Sequence, residues 1–223
     1  MKSKLFYDKI YETIEKEVKK FLNEQPDFLS PHTIDSPRAV GDAIQKILED
    51  NFKEIVGNYC RKYSAGFARR AMADLAFSDQ DDFYYVVDIK THRLDTKFNM
   101  PNLTSVERLC RFYEDDKNYY SILMITYNIV SRREINVSQV NFVPIEFLSW
   151  DCLTLGALGW GQIQIANANN IKIEHGYSRK KWMLNLCDML FEFYPLEIEK
   201  IENRIKRFKE IKQQWEEKED IWA

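Results

Sequence analysis

Histidine and cysteine are scarce in this chain, and the few present are scattered. The three histidines, at positions 32, 92 and 175, show no metal-ligand spacing, and His32 and His175 read as loop or surface residues. Cys60, Cys110, Cys152 and Cys187 include no Cys-x-x-Cys pair, so neither a zinc site nor a disulfide framework is indicated, and reduced structural thiols are expected. No apolar run approaches the ~20 residues of a membrane span. The start Met1-Lys2-Ser3-Lys4-Leu5 also lacks the long apolar core of an export signal. A cytoplasmic protein without membrane contact is the expectation. Low-complexity segments and internal repeats are likewise absent.

What is present is enough for a compact fold. A chain of 223 residues that is 45% hydrophobic and 14% aromatic can bury one sizeable core. We expect a single domain over 1–223, with the helix and loop of 1–35 as a candidate dimerisation subdomain. Leu5, Ile10, Ile14, Val18 and Phe21 recur at helical spacing, which predicts an amphipathic helix over 4–23. Ser36-Pro37 is a helix start with serine as cap and proline in the first turn. Thr104-Ser105-Val106-Glu107 matches a capping box and opens a helix to about Tyr113. The runs 119–130 and 139–148 read as strands flanking a basic turn at Ser131-Arg132-Arg133. Ser178 opens a further helix, and Pro195 starts a last one. The stripe Ile198, Ile201, Ile205, Phe208, Ile211 and Trp215 on that last helix reads as packing on its own domain, with a partner helix as the alternative.

The chemistry concentrates between Asp74 and Lys90. Residues 71–77 and 83–89 are apolar runs separated by Asp79, Gln80, Asp81 and Asp82, which reads as a hairpin. Strand alternation puts Asp88 and Lys90 on one face, and folding the hairpin back brings Asp74 beside Asp88. Val86, Val87 and Ile89 mark a buried strand, where two carboxylates are costly without compensation. A hard divalent cation, magnesium, would compensate them, with the Ile89 carbonyl as a further ligand and Lys90 holding water. The structural alternative is a plain Asp88–Lys90 ion pair at a strand end.

These words resemble the PD-(D/E)xK nuclease superfamily, and within it the type II restriction endonucleases of the HincII and EcoRV branch. The resemblance runs through Ala73-Asp74-Leu75, Val87-Asp88-Ile89-Lys90-Thr91, Pro101-Asn102 and Gln162-Ile163-Gln164, in one order over roughly 36–208, and Gly41-Asp42 with its helix adds to it. Ala73 stands where the motif's proline would be. Asp42 is the candidate for the acidic residue such enzymes carry on an N-terminal helix.

Three of the seven glycines fall at Gly156, Gly159 and Gly161, followed by Gln162, Gln164 and three asparagines. The spacing is neither a Walker loop nor a dinucleotide fingerprint. By residue type this is a glycine-bearing turn before a half-exposed strand. By resemblance it is a DNA-reading loop, whose amides suit adenine edges. The candidate contacts are Gly156, Gly159, Trp160, Gln162 and Gln164, with Asn99 and Asn102 approaching from another side. Net charge is −3, but local basic groups flank the acidic residues: Arg61, Lys62, Arg69 and Arg70 before, Arg93 and Lys97 after.

The expected fold is α/β, a central mixed sheet flanked by helices with a restriction-endonuclease-like core. The resemblance implies a magnesium-dependent homodimer that cleaves duplex DNA at a short palindrome, leaving 5′-phosphates and blunt ends. Alternatives are a repair or junction-resolving nuclease on the same fold, or a DNA-binding protein without catalysis.

Overall fold

The computed structural model describes residues 2–25, 29, 33, 35–64, 73–131 and 134–221. His32, Arg69, Arg70, the turn residues Arg132 and Arg133, and residues 71 and 72 of the first expected strand lie outside the described residues. The chain forms two compact units, Met1–Tyr177 and Ser178–Ala223, so the division falls well after residue 35.

In the first unit a five-stranded sheet runs in the order β1 (Lys62–Ser64), β2 (Leu75–Ser78), β3 (Tyr84–Arg93), β5 (Asn118–Ser131), β6 (Glu134–Pro144). The sheet is mixed: β3 and β5 are parallel, and the other neighbours antiparallel. The parallel step requires a crossover, supplied by β4 (Asn102–Ser105) and a short helix, α4 (Val106–Phe112). The expected hairpin is β2–β3. Its turn is organised by Asp79, whose Oδ1 accepts from Asp81 N and Phe83 N, both at 2.9 Å, while Oδ2 accepts from Tyr85 Oη at 2.7 Å. The last expected strand starts earlier than residue 139 and stops at Pro144, beyond which Ile145–Phe147 turns as a 3₁₀ helix.

The expected helix over 4–23 is two helices, α1 (Lys4–Tyr7) and α2 (Tyr11–Asn23), broken where Lys9 takes a left-handed φ of 61°. The buried face carries Leu5, Phe6, Tyr11, Ile14, Val18 and Leu22. Side chains of α2 also seal the outer edge of β6. Glu15 Oε1 accepts from Phe142 N at 2.6 Å, and Asn23 exchanges hydrogen bonds with Val137 N and O. An uncovered edge strand invites pairing with other chains, so this helix closes its own sheet and is not left free as the expected dimer contact.

Helix α3 (Pro37–Val56) starts as expected, with Ser36 Oγ accepting from Ala39 N at 3.3 Å. It lies close to β3, because a Cβ on Gly41 would stand 2.8 Å from Thr91 Oγ1. Helices α1 and α3 share an aromatic core with the sheet through Phe6, Phe52, Phe77, Tyr85 and Phe142. Strand alternation turns Tyr84, Asp88 and His92 to the opposite face, where Tyr84 meets Phe112 of α4. There β4 pairs with β8 (Gln162–Ile165), and β8 with β7 (Leu153–Gly156), in a second, three-stranded sheet. Helix α4 begins one residue later than the capping box implied: Ser105 is the cap, and Thr104 is buried in β4.

The second unit is one helix, α5 (Arg179–Glu216), of 38 residues with Pro195 inside it. The expected restart at Pro195 does not occur. The stripe expected to be packed is open on the chain, with Ile198, Ile201, Ile205, Phe208 and Trp215 all exposed and Ile211 half-buried. No helix among the described residues is long and apolar enough to cross a membrane.

Candidate functional site

The hairpin and α3 converge on one corner. Asp74 precedes β2, with its backbone N–H bonded to Val87 O at 3.0 Å. Its carboxylate then reaches past the end of β2, and Oδ2 accepts from Ile89 N at 2.7 Å. Val87 and Ile89 are two apart, so their backbone groups face the same edge of β3, and the Ile89 carbonyl faces the edge that Asp74 occupies. Asp88 is buried, and Lys90 Nζ donates to its Oδ1 at 2.8 Å. Tyr120, from β5, donates to Asp88 Oδ2 at 2.9 Å and lies 2.9 Å from Leu103 O. One buried hydroxyl thus ties the acidic corner to the small sheet.

Burial pushes the Asp88 carboxyl up to about 6, against the opposing pull of Lys90, with the nearby Asp74 charge adding to the rise. A desolvated carboxylate beside a second one gains from a cation. Magnesium uses one or two carboxylates and keeps water on its other positions. Asp74, Asp88 and the Ile89 carbonyl suit that demand. Among the described residues no group of three or more His, Cys, Asp or Glu side chains is arranged to hold a metal, so the donor set is an open pair and not a closed cage.

Asp42, the expected acidic residue of α3, is exposed. The helix face turned to the corner carries Gln45 and Glu49, one and two turns beyond Gly41. Gln45 Nε2 donates to Asp74 Oδ1 at 2.7 Å and to Glu49 Oε1 at 3.0 Å, and Glu49 is buried. The 41, 45, 49 spacing is the signal that could have found them, since residues four apart share a helix face. Tyr120 carried no such signal, because an aromatic residue in an apolar strand reads as core.

The expected reading residues gather around the small sheet. Ile163 and Ile165 are buried while Gln162 and Gln164 face outward. Gln164 Nε2 donates to Asn102 Oδ1 across the β4–β8 pair. Gly156 makes room for that amide: a Cβ there would stand 2.8 Å from Gln164 Oε1. Gly159 takes φ 59°, and Leu158 and Trp160 stand exposed at the loop tip. Ala168 N bonds Asn99 O at 2.8 Å, and Asn169 Nδ2 bonds the carbonyls of Thr96 and Lys97. The 96–102 and 162–170 segments therefore lie together. Of the basic groups, Arg61 pairs with Asp82 and Arg93 with Asp95, while Lys62 and Lys97 are exposed. Comparison with protein-family models finds no match, and comparison with curated proteins finds none either.

Proposed function

We propose that this chain is a magnesium-dependent endonuclease that hydrolyses duplex DNA, with a restriction-endonuclease-like core. The observation that carries the reading is the corner where Asp74, Asp88 and Lys90 meet, two carboxylates and an ammonium at the end of a buried strand. Asp74, Asp88 and the Ile89 carbonyl would hold the ion. When bound, magnesium supplies charge neutralisation on phosphate oxygens and a more acidic water.

The chain's own residues do the rest. Lys90 has N–H donors beyond the one used on Asp88, and these orient a water toward phosphorus. Gln45 and Tyr120 fix the carboxylates. In-line displacement breaks the P–O3′ bond and leaves a 5′-phosphate and a 3′-hydroxyl. The Asn102–Gln164 amides, with Asn99, Gln162 and Trp160 nearby, form the base-reading surface, and specific cutting at a short palindrome by a homodimer, with blunt ends, follows the family resemblance. A second reading, a DNA-binding protein with a structural acidic cluster, draws on the closed Asp88–Lys90–Tyr120 contacts.

Digestion of sequenced plasmid DNA with magnesium separates the two. The wild-type chain should cut at defined sites. Lys90→Ala should cut roughly a hundredfold more slowly or worse while binding DNA as before. A mutant that cuts at the wild-type rate removes Lys90 from the mechanism, and a wild-type chain that binds but never cuts favours the binding protein.

A further inference from the structure

Leu196 apart, the exposed large apolar residues of α5 follow a stricter rule than a globular helix needs. Phe191, Ile198 and Ile205 recur every seven residues, and Tyr194, Ile201 and Phe208 fall three after each of them. Leu184 and Trp215 extend the two rows at either end. These eight residues are between 38% and 74% exposed. A helix packing on its own domain uses a broader face, whereas a two-row seam with a seven-residue period is the signature of a coiled coil.

We infer that α5 is a dimerisation helix that pairs with α5 of a second copy of this chain in antiparallel orientation. The charges beside the seam choose both partner and direction. In a parallel in-register pair, Glu197 would face Glu202 of the other copy and Arg204 would face Lys209, two like-charge contacts on each side. In the antiparallel pair centred between Glu199 and Lys200, Ile198 packs against Ile201 of the second copy, Tyr194 against Ile205, Phe191 against Phe208 and Leu184 against Trp215. Glu197 then faces Arg204, and Asp188 faces Lys209. Sliding the pair by one heptad either way brings Arg204 onto its own copy or Glu197 onto its own copy. Only the centred register aligns the eight apolar residues and also pairs Glu197 with Arg204 and Asp188 with Lys209, leaving Glu202 opposite Pro195, and its partner is this same sequence. Pro195 sits beside the seam and outside both rows. The inference rests on the helix and not on the nuclease reading, so a dimer that never cuts DNA leaves it standing.

Sedimentation of the full chain, without DNA, tests it. The wild-type protein should be a dimer. Arg204→Glu should weaken dimerisation roughly tenfold, and adding Glu197→Arg should restore it. In a parallel dimer Arg204→Glu would instead strengthen association, by turning a repulsive contact with Lys209 attractive. Direction is read independently by oxidative cross-linking, because the exposed Cys187 lies level with Lys212 of the second copy and about 37 Å from the second Cys187. Lys212→Cys should give a 187–212 cross-link between copies. A wild-type monomer at tens of micromolar, or a Cys187–Cys187 cross-link, overturns the proposal.

Discussion

Tyr120 is the side chain through which the acidic corner feels the rest of the fold. Its hydroxyl donates to a buried carboxylate, and such a bond to a charged group is worth about 1.5–3 kcal/mol. Tyr120→Phe should therefore lower stability by that order in urea melts. The same bond helps hold the Asp88 proton affinity down against burial, so the mutant's Asp88 should titrate above the value of about 6, as followed by carboxyl NMR. An unmoved titration would mean that the bond does not form in solution. Gly156 acts by absence. A methyl group there would press on the flexible end of Gln164, so Gly156→Ala should cost under about 1 kcal/mol and yet displace the amide that Asn102 holds. Its effect should appear in which sequences are bound, measured by selection from random duplexes, and hardly in the melt.

At the scale of elements, the contact of α2 with β6 carries a pH dependence. Burial raises Glu15 from 4.5 to about 7, only partly offset by the hydrogen bond from Phe142 N. The native state thus binds more protons than the unfolded chain between those two values. Its stability contribution is full below about 4.5 and lost as pH rises through about 7. Glu15→Gln keeps an acceptor for Phe142 N without the ionisation. The mutant should gain on the wild type between pH 5 and pH 8, by on the order of 1 kcal/mol once solvent screening of this half-buried group is counted. Urea melts at the two pH values measure it, and a constant difference would refute the assignment.

For the whole molecule, a cation that binds the native corner and not the unfolded chain must stabilise the fold. At a hundredfold excess over its dissociation constant, magnesium should add about 2.7 kcal/mol. For a chain of this size that raises Tm by roughly 5–10 °C. Asp74→Asn and Asp88→Asn should remove most of the rise. A Tm indifferent to magnesium would leave the carboxylates without their proposed ion, whatever the DNA experiments show.

Local signals made the sheet and half of the candidate site legible. The apolar run over 83–89, the acidic turn before it and the Ser36-Pro37 cap act between near neighbours, so the hairpin, α3 and the meeting of Asp74, Asp88 and Lys90 could be read from the sequence. Asp42 is exposed while Gln45 of the same helix meets Asp74, because a pattern match fixes a residue's position along a helix but not its azimuth. The glutamine–isoleucine alternation of β8 could be read, but four-residue strands such as β4 and β7 are too short to show a period, and the pairing that joins Asn102 to Gln164 comes from partners 62 residues apart. Pro195 reads locally as a break, yet it sits inside a continuous helix. The sequence by itself determined the strand and helix periods and the three residues of the acidic hairpin. Tertiary structure alone decided that Gln45, Glu49 and Tyr120 close on that hairpin and that α2 seals the sheet edge. Side chains far apart along the chain meet only when burial and hydrogen bonding make packed layers more favourable than water.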